Sequence, residues 1–226
     1  MNKGKLWGIG VGPGDPELMT LKAVRVIRQC DVIAVPHKDK EKCLALSIAL
    51  GAVPELADKE ILEVHMPMTK DPVALEEGYR HGTELLTKEL DAGKEVGFLT
   101  LGDPTVYSTY CYLHTRIDEM GYNTEIVSAV PSFCAVAAAL NRPLCQNKDE
   151  LHIIPGTYGV EEAISYPGVK VLMKNNMPET LRILREKGLS AQMVERCGLP
   201  GQKVYRSMDE ITEDTGYYAV MLVEDK

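Results

Sequence analysis

The sequence predicts an α/β fold of two α/β domains, with a parallel sheet in the first, a mixed sheet in the second and a ligand cleft between them. In the first half, short apolar runs alternate with helical segments, which is typical of a parallel sheet covered by helices. Near the C-terminal end, three apolar runs follow one another closely, which favours antiparallel pairing. The 226 residues suit one large or two small domains. We place a boundary near Gly121, giving domains 1–121 and 122–226.

Capping residues and apolar runs define the elements of the first domain. Asp15 and Asp71 each precede a proline, so each predicts a helix N-cap with proline at the first helical position. Gly93 ends the helix that begins at Asp71. The apolar face of the first helix is predicted to be Leu18, Leu21, Val24 and Ile27. In order, we predict strands at residues 6–11, 31–35, 60–65 and 96–101, and helices at residues 15–27, 42–50, 71–92 and 105–120.

The second domain is predicted from shorter runs. Small residues make up one helix, and Gly188 ends another. In order, we predict strands at residues 124–127, 151–154 and 169–173, strand-like segments at residues 192–195, 203–207 and 217–223, and helices at residues 132–140 and 178–187.

Composition excludes several classes of protein. The chain is 45% hydrophobic and 26% charged, which is typical of a globular protein and not of a disordered one. Its formal charge of −8 is the opposite of the basic excess of nucleic-acid binders. The longest uncharged stretch, residues 126–141, is shorter than the roughly 20 apolar residues of a membrane span, and the first residues do not form a signal peptide. We therefore expect a cytoplasmic protein that binds neither nucleic acid nor membrane.

The cysteines and histidines give no sign of a metal site. The six cysteines form no CxxC pair, and the five histidines lack metal-ligand spacing. We expect reduced, buried thiols and no protein-bound metal.

Glycines alternate at the end of the first predicted strand, at Gly8, Gly10, Gly12 and Gly14. The run does not satisfy G-x-G-x-x-G, because the third glycine is replaced by Pro13 when counted from Gly8. Bare backbone on one side of a strand end lets another backbone or a flat ligand approach closely. The alternative is a tight strand-to-helix turn without a ligand.

Asp103 follows the most apolar predicted strand, where open α/β sheets bind ligands. It could instead cap a helix that starts with Pro104. Tyr107, one turn later, could lie against a flat ligand or pack in the core. The small-residue helix after Pro131 could admit an adenosine-sized plane or pack closely against another element.

Four segments together carry a resemblance to a known family. In order they are GxGPGDPELMTLKA from Gly10, DVIAVP from Asp31, LGDPTVYSTY from Leu101 and VPSFCAVAAALNRPL from Val130. The ordered set resembles the tetrapyrrole (corrin/porphyrin) methyltransferase family over nearly the whole chain. DVIAVP, followed by a basic run, and DPTVYST are similar to the branch that methylates C20 of precorrin-2 or cobalt-precorrin-2 (cobalt-factor II) in cobalamin biosynthesis. Ser132 is a departure, since many relatives have glycine there.

The resemblance implies S-adenosyl-L-methionine bound in the cleft, S-adenosyl-L-homocysteine as product, a tetrapyrrole substrate and a homodimer. Matching position by position, the cofactor-binding residues are Pro13, Leu101, Gly102, Asp103, Val106, Tyr107, Ser132, Cys134, Ala135, Lys174, Arg196 and Cys197. Because the donor is already activated, the reaction needs orientation and a dry, weakly polar site, with no catalytic triad or metal.

Three residues are catalytic candidates. The methylated meso carbon must lose a proton, and Asp103 is the first candidate for the base; capping plus cofactor contact is its alternative. Lys174 could pair with a substrate carboxylate or be a surface lysine. Tyr217 is a hydrogen-bonding or metal-facing candidate, with Tyr218 as the alternative because strands alternate their faces.

The substrate's carboxylates require local cations in an acidic chain. His37 and Lys38, followed by Lys40 and Lys42, could form that patch or belong to a solvated loop. Whether the substrate carries cobalt is left open, with the cobalt form favoured. The alternative functions are a uroporphyrinogen III methyltransferase, a diphthine synthase-like enzyme, or a non-catalytic carrier of S-adenosylmethionine or a tetrapyrrole.

Overall fold

The computed structural model describes residues 3–156, 158–174, 176–216 and 218–224. The chain divides into two compact units, Met1–Pro131 and Ser132–Lys226. Each unit contains one five-stranded sheet. The predicted class of two α/β domains is confirmed, and the ligand cleft expected between them stays a prediction.

The sheet of the first unit is entirely parallel, as predicted. Its strand order is β3-β2-β4-β1-β5. The strands are β1 (Lys5–Gly10), β2 (Val32–Val35), β3 (Glu60–Glu63), β4 (Val96–Thr100) and β5 (Asn123–Val127). Because all five run in the same direction, their carboxyl ends meet at one edge, where loops from different parts of the chain come together.

Four α-helices belong to this unit: α1 (Leu21–Gln29), α2 (Leu44–Ala52), α3 (Pro72–Asp91) and α4 (Tyr110–Glu119). Asp71 caps α3 as predicted, accepting from the Val73 N–H at 3.0 Å. Apolar side chains of α3 and α4, among them Leu86 and Leu113, form a core with Phe98 of β4.

The helix predicted from Asp15 is two elements. Asp15 caps only a short 3-10 turn, Pro16–Leu18, by accepting from the Glu17 N–H at 2.9 Å. Thr20 caps α1 separately, its hydroxyl accepting from the Ala23 N–H at 3.1 Å. The predicted apolar face was wrong at Leu21, which is 89% exposed; α1 buries Ala23, Val26 and Ile27. A second capping hydroxyl restarts the helix and so rotates its buried face.

The helix predicted from residue 105 begins only at Tyr110. Asp103 binds both the N–H and the hydroxyl of Thr105, and Tyr107 has a left-handed φ of 48°. A left-handed residue cannot lie inside a right-handed helix, so an irregular loop separates β4 from α4.

Strand β5 belongs to the first sheet. It pairs with β1 in parallel, from Lys5 opposite Asn123 to Ile9 opposite Val127. The first compact unit therefore extends to Pro131, beyond the boundary predicted near Gly121.

The second unit has the predicted mixed sheet, in the order β6-β7-β10-β8-β9. Strand β6 is parallel to β7, and β10 is antiparallel to both β7 and β8. The elements are α5 (Ser132–Ala139), β6 (Leu151–Pro155), α6 (Val160–Ala163), β7 (Val169–Met173), α7 (Met177–Glu186), β8 (Ser190–Glu195), β9 (Lys203–Tyr205) and β10 (Ala219–Glu224). The four-residue helix α6 was not predicted, because one turn is too short to show a helical period.

The cysteines differ in exposure. Cys30 and Cys43 are buried as predicted, whereas Cys134 and Cys145 are exposed, so the expectation of buried thiols was wrong for these two. Within the described ranges, no three His, Cys, Asp or Glu side chains lie close enough to share a metal ion. None of the helices described has the length and apolar character needed to cross a membrane.

Candidate functional site

The loops after β1 and β4 are joined through two glycines. The N–H of Gly102 donates to the carbonyl of Gly12 at 2.8 Å, and the N–H of Gly12 donates back to the carbonyl of Gly102 at 3.3 Å. Both residues are left-handed, with φ of 77° at Gly12 and 72° at Gly102, a conformation that glycine adopts without steric cost. The two loops therefore form one stretch of backbone at the carboxyl edge of the sheet.

The alternating glycines have different surroundings. A Cβ at Gly8 would lie 2.0 Å from Cε1 of Tyr110, and one at Gly10 would lie 2.5 Å from Cβ of Ala129. Gly8 therefore leaves space for the Tyr110 ring, and Gly10 leaves space for the Ala129 side chain. A Cβ at Gly102 would meet nothing within 4 Å, so Gly102 is where bare backbone faces open space.

Asp103 joins the loop after β4 to the loop after β5. Its Oδ2 accepts from the Ser128 hydroxyl at 2.5 Å and from the Ala129 N–H at 2.7 Å. Its Oδ1 accepts from the Thr105 N–H at 2.8 Å and from the Thr105 hydroxyl at 2.6 Å. The side chain is 5% exposed. Four protein donors therefore surround this carboxylate.

These bonds determine the protonation state of Asp103. Burial by itself raises the pKa of the carboxyl, but hydrogen bonds from Ser128, Thr105 and Ala129 outweigh burial and hold the pKa below its ordinary value. A carboxylate with a low pKa and occupied acceptor positions is a weak general base. The geometry favours the alternative in which Asp103 orders the loop, although it caps no helix.

The other predicted cofactor residues of the first unit lie close to Gly102 and Asp103 along the two bonded loops. Leu101 is 36% exposed and Tyr107 is 54% exposed, so Tyr107 does not pack in the core. Val106 is partly buried, and Pro13 is buried next to Gly12. The structure thus collects the predicted cofactor residues of this unit on two adjoining loops, and the exposed ones among them, Leu101 and Tyr107, carry no charge.

Lys174 and Arg196 lie at one edge of the second sheet. They directly follow β7 and β8, which run in the same direction because β10 is antiparallel to both. Two strand spacings separate them, roughly 10 Å. Both are left-handed, with φ of 57° and 55°, which costs a non-glycine residue on the order of 1 kcal/mol. Strain at two strand ends marks this edge as a candidate functional surface.

Backbone bonds hold the chain at this edge. The Arg196 N–H donates to the carbonyl of Tyr218 at 2.8 Å, and its Nε donates to the carbonyl of Pro200 at 2.9 Å. Cys197 follows and is half-buried, and burial raises the pKa of its thiol. Tyr217, the third predicted catalytic residue, lies outside the described residues; its predicted alternative, Tyr218, is 43% exposed.

Helix α5 carries the remaining predicted cofactor residues. Ser132 begins the helix and is partly exposed, Cys134 is exposed, and Ala135 is buried. The pKa of Cys134 is raised, first by partial desolvation of its sulfur and then by the nearby Cys145. The Cys134 thiol is therefore neutral at neutral pH.

The predicted basic patch is an ordered turn after β2. The Asp39 N–H donates to Nδ1 of His37 at 3.0 Å, while Lys38 is exposed. Lys42 pairs with Asp39 at 3.1 Å, and this hydrogen bond is the main reason that the pKa of Asp39 is lowered. Internal pairing of Lys42 supports the solvated-loop alternative for that residue and leaves His37 and Lys38 as the substrate-binding candidates.

Ser128 and Thr105 were missed as site residues in the sequence. Ser128 is the first polar residue after β5, at the same carboxyl edge as Asp103. A polar residue in that position after a parallel strand is the signal that could have identified it.

Comparison with known proteins identifies the family. The family model for tetrapyrrole (corrin/porphyrin) methylases matches residues 5–211. The chain belongs to this family. The stretch matched includes both glycine loops, Asp103, helix α5 and the strand ends that carry Lys174 and Arg196.

Two curated relatives are similar to this family member along nearly all of its chain. A cobalamin biosynthesis protein CobIJ from Mycobacterium tuberculosis is 35% identical over 241 residues, covering 98% of this chain but 46% of that protein. The chain thus spans about half the length of this relative. A protein from Methanocaldococcus jannaschii named "Probable cobalt-precorrin-2 C(20)-methyltransferase" is 36% identical over 214 residues, covering 93% of this chain and 90% of the relative.

A solved structure has the same fold. Uroporphyrin-III C-methyltransferase from Thermus thermophilus, complexed with S-adenosylhomocysteine, superposes with a TM-score of 0.71 at 23% identity, covering 98% of both chains. This likeness confirms the tetrapyrrole methylase fold.

Proposed function

We propose that the protein transfers a methyl group from S-adenosylmethionine to C20 of precorrin-2 or of its cobalt complex, a step of cobalamin biosynthesis. The observation that carries the proposal is the paired Gly12 and Gly102 loop, ordered by Asp103, in a chain of the tetrapyrrole methylase family. The name of the Methanocaldococcus relative supports the choice of substrate and favours the cobalt form.

The residues of the first unit fit a methyl donor of this kind. Gly102 offers bare backbone beside open space, and Leu101 and Tyr107 are exposed uncharged side chains. When bound, S-adenosylmethionine supplies a methyl group activated by a positively charged sulfonium. Because that charge disappears during transfer, uncharged walls that exclude water favour the reaction. We propose that Pro13, Leu101, Gly102, Val106 and Tyr107 bind the cofactor on this unit.

The second unit supplies the other proposed contacts. We assign cofactor binding there to Ser132, Cys134, Ala135, Lys174, Arg196 and Cys197. Cys134 and Cys197 are neutral thiols, because partial desolvation of the sulfur raises the pKa of each, although the Cys134 residue as a whole is exposed. A neutral thiol suits a site that must not oppose the loss of positive charge from the donor.

Substrate binding requires cations, because precorrin-2 carries many carboxylates and the chain has a formal charge of −8. We propose that His37, Lys38 and Lys174 meet these carboxylates. The proton that leaves C20 after transfer needs an acceptor. Asp103 is a poor acceptor for the reasons given above, and Lys174 and Tyr217 remain the other proposed catalytic residues.

The test is methyl transfer from labelled S-adenosylmethionine to precorrin-2, with and without cobalt, under anaerobic conditions. We expect one labelled methyl group at C20, detected by mass and absorbance. Label elsewhere on the ring would support another family activity, and binding of S-adenosylhomocysteine without transfer would support a carrier. Lys174→Ala should raise the KM for the tetrapyrrole about 10-fold. The matched control is Lys187→Ala, an exposed lysine at the end of α7.

We also propose a cytoplasmic homodimer, as the family resemblance implies. Sedimentation equilibrium of the purified protein tests the assembly. A mass near that of one 25.0 kDa chain across micromolar concentrations would contradict it.

A further inference from the structure

We propose that Ser128 is a positioning residue of the cofactor loop, an inference that rests on the proposed function. Its hydroxyl, together with that of Thr105, holds the Asp103 carboxylate as a hydrogen-bonded anion that fixes the loop after β4 against the loop after β5. Asp103 then acts by ordering the residues beside it and not by accepting a proton from substrate.

The first step is the irregular backbone that Asp103 must order. Between β4, which ends at Thr100, and α4, which begins at Tyr110, the chain contains left-handed residues at Gly102 and Tyr107. The hydrogen bonds of a regular element do not support such a loop, so its shape depends on individual contacts.

The second step is where those contacts lie. Gly102 is bonded to Gly12 on one side of Asp103. On the other side, the Cys111 thiol donates to the carbonyl of Pro104 at 3.0 Å. Asp103 stands between these points and supplies the bonds to the β5 loop, through Ser128 and Ala129. The hydrogen bonds of Asp103 therefore determine the positions of Leu101, Gly102 and Tyr107.

The third step concerns the donors. Ser128 is exposed and follows β5, and its hydroxyl donates to Oδ2 of Asp103 at 2.5 Å. An exposed serine contributes little to the core, so its replacement by alanine removes mainly this bond. Donors on both carboxylate oxygens keep the group ionised and take the positions at which it would accept a proton.

The experiment compares Ser128→Ala with wild type by calorimetric binding of S-adenosylhomocysteine. We expect the Kd to rise about 10-fold, because a hydrogen bond to an ionised group is lost. In steady state, the KM for S-adenosylmethionine should rise while kcat changes less than about threefold. Ser128→Thr, which keeps the hydroxyl, should restore the wild-type Kd.

Thr124→Val is the matched control. It removes a hydroxyl that donates to a carboxylate, Oδ1 of Asp118, at 2.8 Å, from near the other end of the same strand β5. It should leave the Kd unchanged. An equal effect of Ser128→Ala and Thr124→Val would overturn the inference, as would a loss of kcat at constant KM in Ser128→Ala.

Amide exchange over residues 101–109 of the ligand-free protein gives a readout independent of the cofactor. Exchange should be about 10-fold faster in Ser128→Ala than in wild type, and unchanged exchange would refute the positioning role of Ser128. If wild type does not bind S-adenosylhomocysteine, the proposed function fails while the exchange result still decides the role of Ser128. Should Ser128→Ala fail to fold, Thr105→Val removes a donor from the opposite oxygen and is judged by the same measurements.

Discussion

The two units end their strands in different ways at the edges that carry the candidate site residues. In the first unit, the left-handed glycines Gly12 and Gly102 are bonded to each other through their backbones, Gly102 faces open space, and Asp103 orders the loop that follows it. In the second unit, the left-handed positions after β7 and β8 are Lys174 and Arg196. One unit therefore presents bare backbone, and the other presents long cationic side chains.

The difference teaches how each surface obtains its shape. Backbone carbonyls and N–H groups cannot be aimed by rotamers, so the first unit needs a network of side-chain hydrogen bonds to fix them. In the second unit, long side chains extend from strained strand ends, and the hydrogen bond from Arg196 Nε to the Pro200 carbonyl holds the arginine. Substitutions in the two units should therefore have different consequences.

The largest expected effect is a loss of stability when the close packing around Gly10 in the first unit is disrupted. Gly10→Ala places a Cβ 2.5 Å from Cβ of Ala129 and 2.7 Å from the carbonyl oxygen of Gly102. We expect a loss of about 3 kcal/mol in the free energy of unfolding, because backbone must move to relieve the overlap. Gly159→Ala in the second unit is the control, since its Cβ would meet nothing within 4 Å. Urea denaturation of both variants measures the effect; similar stabilities would contradict the close packing described here.

The next largest effect tests whether Asp103 orders the cofactor loop or accepts a proton from the substrate. Asp103→Asn keeps an acceptor but removes the charge, so we expect the Kd for S-adenosylhomocysteine to rise about 10-fold and kcat to change less than about threefold. A general base would instead lower kcat by about 100-fold or more. Asp118→Asn is the control, an exposed carboxylate bonded to a threonine in the same unit. Binding calorimetry and initial rates measure the two quantities.

Much of the fold was predictable because it depends on local signals. Apolar runs alternating with helical segments predicted the first sheet, and closely spaced apolar runs predicted antiparallel pairing in the second. The Asp71 and Pro72 pair predicted the start of α3. The predicted helix starts at Asp15 and after Asp103 were wrong, because another residue nearby provided an alternative cap or hydrogen-bond partner. Thr20 offered a second cap after Asp15, and Asp103 bound Thr105 in place of starting a helix.

The candidate site was predictable only in part. Asp103 and the glycines could be placed at a strand end from their positions in the sequence. The bond between Asp103 and Ser128 joins residues 25 positions apart, and no periodicity reveals such a pair. The sequence also could not show which glycines face a ligand and which face the protein. Only the folded chain shows that Tyr110 occupies the space beside Gly8 and Ala129 the space beside Gly10, whereas Gly102 faces open space.

A smaller effect distinguishes backbone strain from site geometry. Gly102→Ala and Gly188→Ala both introduce a side chain at positive φ, 72° and 64°, with nothing within 4 Å of the new Cβ. Each should lose about 1 kcal/mol of unfolding free energy. Only Gly102→Ala should weaken binding of S-adenosylhomocysteine, because its Cβ enters the proposed cofactor surface. Equal Kd values of the two variants for S-adenosylhomocysteine would show that Gly102 is not part of the cofactor surface.

The smallest effect is the acid dependence of stability. The pKa of Asp103 is lowered in the folded protein, so its charge contributes stability above the unfolded pKa of about 3.9. This contribution is lost as the pH falls through the folded pKa. The difference in unfolding free energy between wild type and Asp103→Asn should be constant above about pH 5 and shrink below about pH 4.

Asp214→Asn in the second unit is the control for this acid dependence. The pKa of Asp214 is also lowered, chiefly by a hydrogen bond with Thr212, but its side chain is fully exposed to solvent. Solvent screening makes such a bond contribute little to stability, so the curve of Asp214→Asn should follow that of wild type at every pH. A contradicting result would be a difference in unfolding free energy between wild type and Asp103→Asn that stays the same at every pH. The donors around Asp103 would then not hold its carboxylate as an anion, and Asp103 would resemble Asp214 of the second unit.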